Sequence, residues 1–324
     1  MLFIHFTAAL LICGSASSLP TPSHDNKAKR PYLPPYLITL EEHTVSPSLE
    51  AGLLNSSIVV STPQTIPLLL DRPPVRLAAM DAAHISLTVL SQSPGTGVNN
   101  ASACHAANIA MVSLVAAKPD RYAGFAILPM SNPVAAAAEL RFATQELKLV
   151  GAMIWNQLPN GTYYDGEAYA PFWSAAKELG TPIYIHPVAA SADVTKTLFT
   201  GTYAPSTAGR LGTNSFGWHV DVGNHVLRLY ASGAFKRWPK LKIVIGNNGE
   251  GLAMFIDRVD NTNLGAEKSR DQTFDNVWRT NIWTTTSAFF TVRQFQMLRQ
   301  VMPLERIMFF VDYPFSTFAQ GWSL

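Results

Sequence analysis

The chain has 324 residues, 48% of them hydrophobic and only 14% charged, which is apolar material enough for one large core or two modest ones. Its 24 basic and 22 acidic residues leave a formal charge of +2. That balance lacks the basic footprint of a nucleic-acid-binding protein and favours small-molecule chemistry.

The first residues, MLFIHFTAALLICGSASSLP, form a short apolar run followed by small residues. The run ends near Cys13, short of the ~20 residues that a membrane span needs. With Gly14-Ser15-Ala16 as a cleavage site, residues 1–18 read as a secretory signal peptide, which implies an extracellular or lumenal protein without a membrane span. Residues 19–35 are rich in proline (Pro20, Pro22, Pro31, Pro34, Pro35) and read as an extended leader, leaving 36–324 as the folded domain. The glycosylation sequons at Asn55, Asn100 and Asn160 agree with a secretory route. Because Cys13 falls in the signal, the mature chain keeps one cysteine, Cys104, and has no intrachain disulfide.

From Tyr36 an alternation of strands and helices begins. Tyr36 to Leu40 is a short apolar strand that delivers Glu41, Glu42 and His43 at its C-terminal end. A helix around Arg76 to Ala83 leads to a second strand, Ile85 to Leu90. Helix Asn108 to Ala117, strand Tyr122 to Leu128, an alanine-rich helix from Pro133 to Leu147 and strand Val150 to Trp155 follow. Helix Phe172 to Leu179 is stopped by Gly180, and strand five, Pro182 to Ile185, ends at His186. Helix Val222 to Phe235, strand Leu241 to Ile245, helix Leu252 to Asn263, strand Ile282 to Thr286, helix Val292 to Val301 and strand Ile307 to Val311 complete the series. Eight apolar strands alternating with helices predict an α/β fold, a parallel (β/α)8 TIM barrel rather than an open doubly wound sheet. No glycine-rich dinucleotide fingerprint follows the first strand.

Barrels of this kind place their chemistry where strands end at the C-terminal face. Strand one ends in Glu41 and His43, two residues apart and so on one side of an extended chain, with Glu42 on the other as a structural carboxylate. Strand five ends in His186, strand six in Asn247 and Glu250, and strand eight in Asp312. A lone histidine at a strand end is more often structural than a ligand. Four such groups at three strand ends, Glu41, His43, His186 and Asp312, predict instead one divalent ion, with Zn2+ the first expectation and Mn2+ or Mg2+ the alternatives. His84, His105 and His225 read as structural. His219 stands ahead of strand six within reach of the pocket and is assigned no role.

Five segments carry a resemblance. Leu40-Glu41-Glu42-His43, Tyr164-Asp165-Gly166 through Phe172-Trp173, Ile183-Tyr184-Ile185-His186-Pro187, Gly249-Glu250-Gly251 through Arg258, and Phe310-Val311-Asp312-Tyr313-Pro314-Phe315 resemble the non-oxidative aromatic acid decarboxylases. These include the 2,3-dihydroxybenzoate and γ-resorcylate decarboxylases, in the aminocarboxymuconate-semialdehyde decarboxylase-like branch of the amidohydrolase superfamily. The resemblance implies a barrel of the metal-dependent hydrolase type, a metal held by Glu41, His43, His186 and Asp312, and Phe315 beside a small aromatic carboxylic acid. It places Glu250 and Arg258 around the pocket. The implied reaction is loss of CO2 from an ortho-hydroxybenzoate, with Asp312 protonating the ring carbon bearing the carboxylate.

Two departures from that pattern stand out. Where members of the family carry Gly-His-x-Gly-Glu after strand six, this chain reads Gly246-Asn247-Asn248-Gly249-Glu250. Asparagine exchanges no proton near neutral pH, so the expected His–Glu relay is absent and Asn247 is left to orient substrate or water. The sequence also stops twelve residues after Asp312, so the barrel looks short at its C-terminus. That leaves either an apolar stripe for a homo-oligomer to cover or a truncated chain. Besides a decarboxylase, the residues therefore admit a metal-dependent hydrolase of a lactone or amide, and a catalytically degenerate barrel that binds without turnover.

Overall fold

The computed structural model describes residues 36–54, 62–71, 74–94, 96, 100–262, 264 and 272–322. The signal and leader segments, 1–18 and 19–35, and the Asn55 sequon lie outside the described residues. Among the described residues, no helix is long and apolar enough to cross a membrane.

Eight strands form one parallel sheet in sequence order: β1 (Ile38–Thr44), β2 (Leu87–Gln92), β3 (Tyr122–Ile127), β4 (Gly151–Trp155), β5 (Ile183–His186), β6 (Ile243–Ile245), β7 (Ile282–Thr285) and β8 (Ile307–Met308). The principal helices between and after them are α1 (Pro74–Ala82), α2 (Ala101–Ala117), α3 (Pro133–Gln145), α4 (Ala170–Leu179), α5 (Gly217–Ala231), α6 (Phe274–Asn281), α7 (Val292–Val301) and α8 (Phe318–Gly321). This is the (β/α)8 barrel expected, nearly closed. The gap between β8 and β1 is crossed beyond the end of β8, where His43 N–H of β1 donates to the Tyr313 carbonyl at 2.7 Å.

Period-two alternation decides what fills the barrel and what covers it. Phe125, Met153, Tyr184 and Val244 belong to one buried cluster, and their neighbours Ala126, Ile154, Ile183, Ile185, Ile243 and Ile245 to another that includes Phe172, Trp173, Val226 and Trp278 from the helices. The first set fills the barrel and the second packs beneath the helical layer. His186, two residues beyond Tyr184, therefore shares the inward face.

Several boundaries differ from expectation for local reasons. α2 begins seven residues before Asn108 because the Asn100 side chain caps it, accepting from Ala103 N–H at 3.0 Å. The expected helix Val222 to Phe235 starts earlier and breaks at Gly233 (φ +79°), after which Ala234–Arg237 makes a separate turn. The expected helix from Leu252 opens as a 3-10 turn, Leu252–Met254, and becomes α-helical over Ile256–Asn261. α6 was not expected. Thr273 caps it, and Phe274, Val277, Trp278 and Asn281 form its buried face. β8 is shorter than expected because the Thr286 hydroxyl takes the place of a backbone partner for Phe310 N–H at 3.3 Å. After it, α8 is held by a capping box between Thr317 and Gln320 and by Phe318 stacked on Tyr313 at 5.0 Å.

Candidate metal centre

The C-terminal ends of β1 and β5 bring Glu41, His43 and His186 together, with ligand atoms all within 4.8 Å of one another. Glu41 gets there by a bulge. The β1–β2 register shifts between Leu40 and Glu42, and Glu41 has the left-handed φ of 65°. Simple alternation anticipated the convergence with His43, but the irregular backbone makes it. Asp312 lies in the segment after β8, also left-handed (φ 75°), with its Oδ1 3.4 Å from His43 Nε2. Holding non-glycine residues in this region costs of order 1–3 kcal/mol each and is characteristic of functional sites.

The two imidazoles are oriented as ligands. His186 Nδ1 meets the Pro187 carbonyl at 2.7 Å and His43 Nδ1 meets Ser91 Oγ at 3.2 Å, which turns both Nε2 atoms to the centre. His186 Nε2 stands 3.0 Å from Glu41 Oε1. Burial holds both histidines down at about 3, so both are neutral and their lone pairs are available near pH 7. The carboxylates respond in the opposite sense. Burial, then the charges of Asp312, Glu250 and Glu42, raises Glu41 well above its ordinary value, and burial lifts Asp312 to about 7 against the pull of His186. Tyr184 donates its hydroxyl to Glu41 Oε2.

A divalent cation fits these residues. His43 Nε2 and Asp312 Oδ1 are buried atoms without a hydrogen-bond partner among the described residues, and they face each other across the cluster. Crowded buried carboxylates beside neutral imidazoles form a mixed oxygen and nitrogen donor set suited to Mn2+ or Zn2+.

Beneath the cluster, Arg76 from α1 is 2% exposed. It donates to the His43 carbonyl and stacks 4.7 Å over the Tyr313 ring. Glu42 accepts from Tyr313 N–H at 2.6 Å, and burial raises its carboxyl to about 8 although that hydrogen bond and Arg76 pull it down. Arg76 and Glu42 thus tie β1 to the segment that carries Asp312.

Phe315 stands against His43, with ring centroids 5.6 Å apart, and Trp155 against His186 at 5.7 Å. These are aromatic walls next to the cluster. The loop after β6 is left-handed from Asn247 to Gly251, and Asn247 Nδ2 donates to Glu250 Oε1 at 2.8 Å. Arg258 is exposed on the helix Ile256–Asn261, and the structure does not bring it into the cluster.

One expectation needs correction. Asn247 does remove the histidine from the loop, but a His–Glu pair is present: His219, on the first turn of α5, places Nδ1 2.6 Å from Glu250 Oε2. Sequence reasoning placed His219 near the pocket without a role, because a contact between a helix and a strand-end loop 31 residues away leaves no local pattern. Of the histidines read as structural, His225 is fully buried and meets Asn156 and Tyr164 N–H, and His105 pairs with Glu139.

A nearly closed parallel barrel with a carboxylate–imidazole cluster at the C-terminal ends of its strands is the site architecture of a barrel enzyme. The family model described as Amidohydrolase matches residues 71–322, and the chain belongs to that family. The match begins after β1, so Glu41 and His43 lie outside it. The chain is 38% identical over 295 residues, 89% of its length and 88% of the relative's, to the decarboxylase orsB of Emericella nidulans. It is 31% identical over 265 residues, 76% of its length and 78% of the relative's, to the γ-resorcylate decarboxylase of Rhodococcus jostii. Among solved structures, it is similar to a dihydroxybenzoic acid decarboxylase from Polaromonas with bound manganese and the inhibitor 2-nitroresorcinol. That likeness has a TM-score of 0.76 and 27% identity, and covers 88% of this chain and 89% of the other.

Proposed function

We propose that the chain is a metal-dependent carboxy-lyase that removes CO2 from an ortho-hydroxybenzoate-like aromatic acid without oxidation. The observation that carries this reading is the cluster of Glu41, His43 and His186 with Asp312 3.4 Å from His43, in a chain whose relatives are aromatic acid decarboxylases.

Glu41, His43, His186 and Asp312 are the residues that would hold the ion. When bound, a divalent cation supplies the positive charge that stabilises an electron-rich, dearomatised ring. The ring carbon that bears the carboxylate takes a proton at the expense of the aromatic system; the bond between ring and carboxylate then breaks, CO2 leaves, and the bonding pair restores the aromatic ring. Asp312, whose carboxyl burial raises above its ordinary value and which stands 3.4 Å from His43, is the donor of that proton. Phe315 and Trp155 flank the planar ring of the acid. Asn247, hydrogen-bonded to Glu250 at 2.8 Å, is left to orient substrate or water. The Polaromonas structure favours Mn2+ over the Zn2+ expected from the donors alone.

Two further proposals concern the route and the assembly of the protein. The apolar N-terminal run and the exposed sequon residues Asn100 and Asn160 support entry into the secretory pathway, and a mass shift on enzymatic deglycosylation tests it. Phe216, Val220, Met254 and Phe255 are large apolar side chains at 49–67% exposure, which supports a homo-oligomer that light scattering would detect.

The deciding experiment is CO2 release from a panel of mono- and dihydroxybenzoates, with and without added Mn2+. Metal-dependent CO2 from at least one ortho-hydroxy acid is the expected result. A hydrolytic product from lactone or amide substrates, with no CO2 from any acid, would overturn the assignment.

A further inference from the structure

Glu250 is the fourth carboxylate at this end of the barrel, with Glu41, Glu42 and Asp312, and its side chain is fully buried. Both of its oxygens are occupied, Oε1 by Asn247 Nδ2 and Oε2 by His219 Nδ1. The other edge of the imidazole, Nε2, meets the Asn214 carbonyl at 3.2 Å. A ring that places one nitrogen against a carboxylate and the other against a carbonyl is held with a proton on each, as imidazolium. The ring makes a T-shaped contact with Phe289, centroids 5.3 Å apart, and 14% of the side chain reaches solvent.

We propose that His219 is a positioning residue of the active site: from α5 it delivers to Glu250 the protonated imidazole that the loop 246–250 lacks. Two consequences follow. Glu250 is fixed in orientation by donors on both oxygens. Its charge is also balanced locally, so that it does not add to the negative potential met by an incoming carboxylate beside Glu41 and Asp312. The second consequence rests on the carboxy-lyase reading, and the first does not.

Around the imidazole, Glu250 is the titratable group from the β6 loop, while Asn214 and Phe289 bring a carbonyl and an uncharged ring from their segments. On its own helix, Asp221 is engaged by Asn156, Gln157 and Tyr163. Burial opposes protonation of His219, but the hydrogen bond and charge of Glu250 outweigh it and raise the group above its ordinary 6.5. The charged pairing is therefore lost as pH rises through the elevated value.

The test has two arms on the full chain, loaded with diamagnetic Zn2+ for the first and with Mn2+ for the second. In the first, the imidazole NMR signals are titrated in the wild type and in Glu250→Gln. The His219 resonance, assigned by its absence in His219→Asn, is expected to titrate above 6.5 and to fall back in Glu250→Gln. An unchanged or depressed titration overturns the pairing whether or not the protein turns over any acid. The second arm measures kcat and KM for the best hydroxybenzoate in His219→Asn and in His219→Asn/Asn247→His. Removing one positive charge near an anionic substrate is expected to raise KM about ten-fold, with a smaller change in kcat. The second substitution is expected to restore KM, since a histidine at 247 tolerates the left-handed backbone and lies next to Glu250. Loss without rescue, or an unchanged KM, overturns the positioning role. If the wild type releases no CO2, it is the carboxy-lyase reading that fails, and the titration still decides the His219–Glu250 pair.

Discussion

Replacing Arg76 with methionine keeps most of the buried stem but removes the guanidinium that joins β1 to the Asp312 segment. The wild-type side chain donates to the His43 carbonyl and covers the Tyr313 ring at 4.7 Å. A charge-assisted hydrogen bond is worth ~1.5–3 kcal/mol and a desolvated cation–π contact ~1–2, so the loss at pH 6 should be on the order of 3 kcal/mol. A second, pH-dependent part comes from Glu42. Its carboxyl is about 8 in the fold against an ordinary 4.5, so between those values the folded state holds a proton that the unfolded chain has released. Stability therefore falls as pH rises through that window in both proteins. Above 8 the wild type stops falling, because Glu42 ionises beside Arg76. The variant has no such cation and continues to fall, by up to about 1.4 kcal/mol per pH unit. Urea denaturation in the presence of chelator, at pH 6, 8 and 9, reads both parts. A shift of about 1 M in the midpoint at pH 6 that widens at pH 9 is expected. Equal midpoints, or a gap that narrows at high pH, would refute the role of the Arg76–Glu42 pair.

Gly249→Ala should cost roughly 2–4 kcal/mol, since φ is +85° and an added Cβ would lie 2.7 Å from the Trp278 ring; the same urea experiment checks it, and a loss under 1 kcal/mol would argue against a rigid β6 loop. Cys104 is 0% exposed and burial raises its thiol to about 12. A thiol reagent at pH 8 should leave Cys104 unlabelled for hours in the native protein, as peptide mapping would show, and react with it at once in denaturant; rapid native labelling of Cys104 would contradict that packing. Metal retention should decline as pH falls below about 7, because protons then compete for the buried carboxyls while His43 and His186 stay neutral down to about 3. Dialysis at stepped pH with metal analysis checks this, and retention unchanged at pH 5 would count against Asp312 as a ligand.

All eight strands were legible because each is a short apolar run bounded by turn signals, and the strand-end rule then picked out Glu41, His43, His186 and Asp312 without any need of side-chain detail. What escaped was irregular backbone and long-range pairing. The bulge at Glu41 has no signature in Leu40-Glu41-Glu42-His43, and the alternation that put Glu41 beside His43 reached a correct grouping through the wrong local geometry. In Gly246-Asn247-Asn248-Gly249-Glu250-Gly251 the composition did carry a signal. Asparagine and glycine tolerate the left-handed region that Asn247, Asn248, Gly249 and Gly251 adopt with Glu250, and reading the run as a turn would have marked the loop that precedes Leu252. The role of His219 depends on how α5 sits over the β6 loop, which only the packed barrel determines. α6 escaped because eight residues with one buried face give too short a period to recognise.

The most direct test of the metal-dependent carboxy-lyase is to strip the protein of metal and titrate Mn2+ back while measuring CO2 release from its best hydroxybenzoate. Activity should be absent at the start, rise in proportion to bound ion and level off at one ion per chain, and His186→Ala should neither bind nor turn over. Full activity in the stripped protein, or one ion bound per chain with no CO2 from any acid, would contradict it.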